Sequence, residues 1–403
     1  MGTNHIFYFL QWVTRAPSSS SSWVDKYVEA HVNIAGPLLG TPKALTALLS
    51  GEMRDTAELS AFEPVLENFF GRSKRRELFG TWGSLWTLMC KGGNGIWSEP
   101  LITFTDSWSG VSKEVDVLEG DTGMEMLRDF GKQQVRRATH ETTTRSRRRP
   151  LFTRSQTACD MCVASLTPHS PPYHPQKRSA EEFLSLLVNW GGGFGREMSE
   201  NLSINFSSDG GKSAGNYLGP SVHENQWHNP LAAPLPDAKH MKHYCMYGVG
   251  IKTEQRYFYK KNPFIEGVPY VIDTSINDDK EAIKNGVKMG DGDATVPLAS
   301  MGYMCRSGWV NNPALNPSGS KAVTVEYPNG GFICADLKDP FRSGPLASDH
   351  VDIMGNLQLI EDVVKISTGF GEVQDNVVSD IDTVCKEIDA RVGEKGGGKV
   401  EVN

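Results

Sequence analysis

The sequence predicts an α/β fold, and three stretches predict it. Near the start, Ile6, Phe7, Phe9, Leu10, Trp12 and Val13 form an apolar helical pattern. It is followed by a strand-like run, Tyr27 to Ile34, that stops at Ala35-Gly36-Pro37. In the second half, strand-like Cys245-Met-Tyr-Gly-Val-Gly-Ile251 leads to the turn-rich Gly290-Asp-Gly-Asp-Ala-Thr-Val-Pro297. Later still, strand-like Ala322-Val-Thr-Val-Glu-Tyr327 runs through a loop to Asp349-His350 and a helix carrying Leu357, Ile360, Val363 and Ile366. Helix followed by strand is half of an α/β unit.

Taken in order, the first helix is apolar nearly all round, the pattern of a buried helix covered by elements from elsewhere. Ser18 to Trp23 reads as a flexible surface loop. Residues 41–98 read as helical segments, with Trp82, Trp86 and Trp97 among them. Between about 111 and 190 the character changes. Residues 131–154 hold Lys132, Arg136, Arg137, Arg145, Arg147, Arg148, Arg149 and Arg154 against the single acid Glu141, and proline-rich turn chemistry follows at 167–172. This is a surface insertion, partly disordered by composition. A solvated basic loop is its first reading, contact with anionic lipid headgroups the second, and a nuclear signal the third. The last helix sets Val377, Ile381, Val384 and Ile388 on one face, and Gly396 to Gly398 fray the tail. There is no internal repeat. The chain divides into 1–110, helix, strand and cap segments; 111–215, the variable basic insertion; 216–370, a core with acid and histidine; and 371–403, an amphipathic helix and tail.

Composition narrows the function. With 403 residues, 38% hydrophobic and 22% charged, the chain can bury a substantial core, and a formal charge of -7 argues against nucleic-acid binding. No run reaches the roughly 20 apolar residues that cross a bilayer. Ile6 to Val13 is short and broken by Gln11, and it has neither the basic flank nor the cleavage site of a signal peptide. Neither anchor nor export signal is expected in this chain. Seven cysteines leave the redox compartment open, and Asn201-Leu-Ser and Asn205-Phe-Ser are sequons usable in a secretory compartment.

The chemistry-bearing candidates are Asp293 and His350, each beyond an apolar strand. In α/β-hydrolases the nucleophile, acid and histidine follow in the chain order Ser, Asp, His. The trio has a physical basis: a serine hydroxyl attacks only when a base takes its proton, and the base needs a carboxylate to hold its tautomer and stabilise the imidazolium. Taken alone, an Asp-Gly-Asp turn is most often only a turn.

His31-Val-Asn-Ile-Ala-Gly-Pro-Leu-Leu-Gly-Thr-Pro-Lys43, Lys91-Gly-Gly-Asn-Gly-Ile-Trp97, Asn229-Pro-Leu231, Tyr244-Cys-Met-Tyr-Gly-Val-Gly250, Gly290 to Pro297, Asn316-Pro-Ser-Gly319 and His350-Val-Asp-Ile-Met-Gly-Asn356 occur in one order along the chain. Together they resemble the blocks of phospholipid:diacylglycerol acyltransferases, of the lecithin:cholesterol acyltransferase family. The resemblance implies an α/β-hydrolase fold, here its C-terminal half plus cap elements, with Asp293 and His350 as catalytic acid and base. It also implies a disulfide between Cys245 and Cys305. A closed loop of about 60 residues is worth ~4 kcal/mol in the loop-entropy model; two reduced buried thiols are the alternative.

The family carries its serine in a Gly-His-Ser-Met-Gly type elbow, and Met1-Gly2 fall where the last two elbow residues belong. The serine is therefore expected to be missing from this chain, the oxyanion donor after it would fall on Met1, and the chain as it stands would be inactive. Gly211-Lys-Ser213-Ala-Gly215 fits the elbow formula by letter, but neither an apolar strand nor an apolar helix flanks it. Cys159-Asp-Met-Cys162 has metal-ligand spacing without a second cysteine pair, although His169 and His174 follow. No metal and no cofactor is expected.

The implied reaction moves a fatty acyl group from a phospholipid to diacylglycerol, giving triacylglycerol and a lysophospholipid. Phospholipid, diacylglycerol and a membrane surface are the implied partners, nucleic acid is excluded, and the lumenal side of the endoplasmic reticulum is the implied location. The tryptophan-bearing segment Leu78–Trp97 is a candidate acyl-chain contact or ordinary core. A phospholipase-like hydrolase and a non-catalytic lipid- or partner-binding fragment are the alternatives.

Overall fold

The carboxyl ends of three parallel strands position everything that follows. The computed structural model describes residues 2–15, 22–52, 71–98, 101–105, 176–178, 226–265, 267–330 and 344–395. The chain forms two units, Met1–Asp106 with Gln176–Asn403, and Ser107–Pro175; every described residue belongs to the first. Met1, Ser213, Cys159, Cys162, both sequons and the basic stretch lie outside the described residues.

In chain order the elements are α1 (Gly2–Arg15), α2 (Trp23–Tyr27), β1 (Ala30–Ile34), α3 (Pro42–Ser50), α4 (Arg72–Gly80), α5 (Gly83–Thr87) and α6 (Gly93–Ile96). Then come β2 (Ile102–Phe104), β3 (Gln176–Arg178), β4 (Lys242–Val249), β5 (Thr253–Lys261), β6 (Tyr270–Ile272), β7 (Ile283–Lys284) and β8 (Val287–Gly290). The series closes with α7 (Leu298–Tyr303), which runs through a π-turn at Met304–Gly308, then β9 (Ala322–Pro328), α8 (Leu357–Thr368) and α9 (Ile381–Lys395). One sheet has the order β1-β4-β9, all parallel; the other has the order β3-β2-β5-β8-β7, with β6 also on β5. Within the second sheet β2 and β5 are parallel and the remaining pairs antiparallel. The molecule is thus an α/β protein with one parallel and one mixed sheet.

Local chemistry explains the ends of the helices. Pro42 opens α3 and Gly51, left-handed at φ 67°, closes it. Asn356 caps α8 by accepting from the N–H groups of Gln358 and Leu359. From its second residue β4 is buried on both faces, as the middle strand of a covered parallel sheet must be.

The sequence pattern makes α1 buried all round, and the structure corrects this. Asn4 and Gln11 are buried, their amides donating to the carbonyls of Thr87 and Pro234, whereas Trp12 is 50% exposed and Ile6 45%. Two polar side chains can turn inward because backbone carbonyls receive them. The N-terminal end of α1 meets the carboxyl end of β1 through Thr3 Oγ1 donating to Asn33 Oδ1 at 2.7 Å. The helix then runs back, so that Leu10 and Val13 pack with Ala238 and Met241, just before β4. The expected face of α9 packs on the core: Ile381 and Ile388 are buried in it with Cys385 and Val392, Val384 is half-buried against it, and Val377 packs there from ahead of the helix rather than within it.

Candidate active site

Two loops beyond strand ends build the site. Ile251, two residues past β4, bridges to Asp293, which lies in the turn after β8. His350 lies in the loop after β9, in a turn just ahead of a 3-10 segment at Asp352–Gly355, with α8 starting only at Leu357. The loops are drawn together by the backbone itself, because the His350 N–H donates to the Asp293 carbonyl at 2.9 Å. Gly248 makes this approach possible. A Cβ there would lie 1.7 Å from the Ser348 carbonyl oxygen, so the histidine loop rests on bare backbone.

The side chains form a carboxylate–imidazole couple: His350 Nδ1 lies 2.7 Å from Asp293 Oδ2. Asp293 is fully buried, and the His350 side chain is 29% exposed. The other carboxylate oxygen, Oδ1, accepts from the N–H groups of Thr295 at 3.0 Å and Val296 at 2.7 Å. With both oxygens engaged, the carboxylate is held in one orientation. A carboxylate at Nδ1 fixes the proton on that nitrogen, and Nε2 is then the nitrogen able to take a proton from an acidic group. The first aspartate of the Asp-Gly-Asp turn serves the backbone instead. Asp291 is exposed and accepts from the N–H groups of Gly250 and Gly292, both at 2.7 Å.

The loop after β1 closes the same corner. Ala35 N–H donates to the Met246 carbonyl, Thr41 Oγ1 to the Thr295 carbonyl, and Lys43 Nζ to the Ala294 carbonyl. The stretch from His31 to Lys43 therefore joins the start of α1 to the acid turn.

Cys245 and Cys305 are joined by a disulfide that ties β4 to the π-turn after α7. Cys90 and Cys385 are buried thiols, and burial pushes both up, Cys385 to about 12, so neither is a ready nucleophile at neutral pH. Among the described residues no three His, Cys, Asp or Glu side chains converge as a metal ion would require. Trp86 and Trp97 are core residues, while Trp82 and Leu78 stay 45% and 41% exposed. A separate open cleft is lined by Trp97, Arg256, Asp291, Leu298 and Arg391, among others, and neither Asp293 nor His350 lines it.

Sequence reasoning misses a buried histidine pair. In register on β1 and β4, His31 and His243 approach with Nδ1···Nδ1 at 3.4 Å. Burial pushes His31 down to about 4; burial, and then His31 beside it, hold His243 well below its ordinary value. The available signal is the alternation His31, Asn33 and His243, Cys245, Tyr247, polar residues at every second position of otherwise apolar strands. The burial of Lys91 is equally hidden in its glycine-rich surroundings. Its ammonium is enclosed and donates to the Thr87 carbonyl at 3.1 Å, and desolvation lowers it to about 8.

Comparison with known proteins gives this geometry a lineage. Residues 1–356 match the family model described as lecithin:cholesterol acyltransferase. The chain is 31% identical over 392 residues to the phospholipid:diacylglycerol acyltransferase of Schizosaccharomyces pombe, spanning 96% of this chain and 52% of that protein. It is 30% identical to the Saccharomyces cerevisiae protein of the same name, over 93% of this chain and 48% of the relative. Against phospholipid:diacylglycerol acyltransferase 1 of Arabidopsis thaliana it is 31% identical, over 92% and 58%. The chain spans about half the length of these curated relatives. On the family match and these identities, the chain belongs to the lecithin:cholesterol acyltransferase family.

Proposed function

We propose that this chain is the acid- and base-bearing part of an O-acyltransferase that moves a fatty acyl group from a phospholipid to diacylglycerol, on an α/β-hydrolase framework of which the chain supplies the C-terminal half. The observation that carries the reading is the Asp293–His350 couple, 2.7 Å apart with the second carboxylate oxygen fixed by two backbone N–H groups. The names of the relatives support the substrate pair.

His350 Nε2 takes the proton of a serine hydroxyl, whose oxygen attacks the phospholipid ester carbonyl. Collapse of the tetrahedral adduct breaks the ester bond, and His350 returns the proton to the departing lysophospholipid. In the second half, His350 takes the proton of the diacylglycerol hydroxyl, that oxygen attacks the acyl-enzyme, and the proton goes back to serine. Asp293 holds the imidazole and stabilises its cation throughout. The acyl group arrives as an ester, already activated, so the chemistry calls for neither metal nor nucleotide. The Cys245–Cys305 disulfide supports an oxidising compartment, the lumenal side of the endoplasmic reticulum. No described helix is long and apolar enough to cross a membrane.

The test is transfer of a labelled acyl group from phosphatidylcholine to diacylglycerol by a parent protein in which the serine-bearing elbow segment is joined ahead of Met1, with Asp293→Asn and His350→Gln as variants of that parent. Labelled triacylglycerol from the parent and a fall of about 10³–10⁴ in each variant is the expected result. Labelled free fatty acid in its place identifies a phospholipase-like hydrolase. Phospholipid bound but never turned over, alike in all three proteins, identifies a non-catalytic lipid-binding chain and overturns the proposal.

A further inference from the structure

We propose that Lys43 and Thr253 are positioning residues for the acid, gripping the Asp293 turn from two sides so that its carboxylate meets His350; the inference rests on the acyl-transfer reading above. The starting observation is Ala294, the residue after the acid, which adopts the left-handed conformation at φ 71°. A residue with a Cβ keeps that conformation only where its surroundings over-determine it. Here they do. The Ala294 N–H donates to Thr253 Oγ1 at 2.8 Å, and the Ala294 carbonyl accepts from Lys43 Nζ at 2.9 Å.

Each grip is itself anchored. Thr253 opens β5 and its hydroxyl donates onward to the Ile251 carbonyl at 2.9 Å. Lys43 lies in the first turn of α3, and its ammonium faces the buried Glu254 carboxylate at 3.9 Å. The shorter contact is the one to the turn, which marks Lys43 as more than a counter-charge for Glu254. The turn closes directly onto Thr253, since a Cβ on Gly292 would lie 2.7 Å from its hydroxyl oxygen. Both residues thus act through Ala294. Were Ala294 to relax to negative φ, the next peptides would rotate and carry the N–H groups of Thr295 and Val296 away from Asp293 Oδ1. The carboxylate would then turn, and Oδ2 would leave the imidazole.

The readout is the far-downfield proton resonance of the His350 Nδ1–H that faces Asp293, assigned by its loss in His350→Gln. Lys43→Met removes the donor at a quarter-exposed position, Thr253→Val removes only the buried hydroxyl, and Lys43→Arg keeps a donor. Circular dichroism confirms that each is folded. The resonance should move upfield or vanish in Lys43→Met and Thr253→Val and return in Lys43→Arg, with kcat down about tenfold or more and KM unchanged. An unchanged resonance in the folded Met and Val variants overturns the proposal, because a residue that merely adds stability leaves the couple intact in the folded molecule. A parent that shows the resonance, loses it in those two variants and transfers no acyl group refutes the function and upholds the grip.

Discussion

On one face of the three-stranded sheet, Val32, Ile34, Tyr244, Met246, Val323, Val325 and Tyr327 pack with Leu359, Val363 and Ile366 of α8. On the other, the same strands present His31, Asn33, His243, Cys245, Tyr247, Thr324 and Glu326, all buried, toward α1, α7 and the approach to α9. The first face is held by removal of apolar area from water, which is non-directional. The second adds directed bonds, although His243 Nε2 and Thr324 Oγ1 on it are left without partners among the described residues. Glu326 accepts from the Tyr247 hydroxyl at 2.9 Å, the Ser379 hydroxyl at 2.6 Å, and the N–H groups of Val378 and Ser379 at 2.7 Å. Burial, with the Glu326 carboxylate beside it, pushes the Tyr247 phenol far above its ordinary value. The contrast teaches that one face rests mainly on interchangeable apolar packing, with a single Tyr327–Asp362 bond at its edge, while the other depends on the specific donors gathered around Glu326.

The largest test of that contrast is Glu326→Leu. It leaves four donors without their acceptor, the Tyr247 hydroxyl buried and the three from Val378 and Ser379 part-buried, and with about 1–3 kcal/mol for each such group the loss should be on the order of 5 kcal/mol, read as a fall in the urea midpoint. Next comes the disulfide: Cys245→Ala with Cys305→Ala should cost about 4 kcal/mol through the freed loop, with Cys90→Ala as the control outside the bridge. Third is acid. His31 falls to about 4 in the folded chain, below the ~6.5 of an unfolded histidine. In that window the unfolded chain binds the extra proton, so stability is complete above about pH 6.5 and drains as pH falls toward 4, by on the order of 3 kcal/mol. A urea midpoint independent of pH in that window, or a slope left intact by His31→Gln, would refute the histidine pair as its source. The smallest effect belongs to the apolar face: Met246→Leu should cost less than about 1.5 kcal/mol. A larger loss there than for Glu326→Leu would invert the comparison.

Much of the apolar face was legible in the sequence, because Val32, Val323 and Val325 sit at the alternation a strand imposes. The turn holding Asp293 was legible for a related reason, since two glycines around two aspartates can do little else. The mixed sheet was not. Its central strand β5 reads Thr-Glu-Gln-Arg-Tyr-Phe-Tyr-Lys-Lys, charged enough to pass for surface, and its parallel partner β2 lies about 150 residues away. His31 and His243 are 212 residues apart, and only the folded register reveals that they face one another. Tyr27, counted at the start of the first strand, instead ends a short helix that packs Val24 with α1. In each case a distant partner supplied the deciding contact.

Gly248 has a consequence for how mutational surveys of this chain would read. It carries no side chain, yet any heavier residue there collides with the Ser348 carbonyl two positions before His350. A survey scored by activity alone would rank this glycine with Asp293 and His350 and suggest a chemical part for it. What it contributes is clearance: the room for one loop to lie flat against the end of a strand.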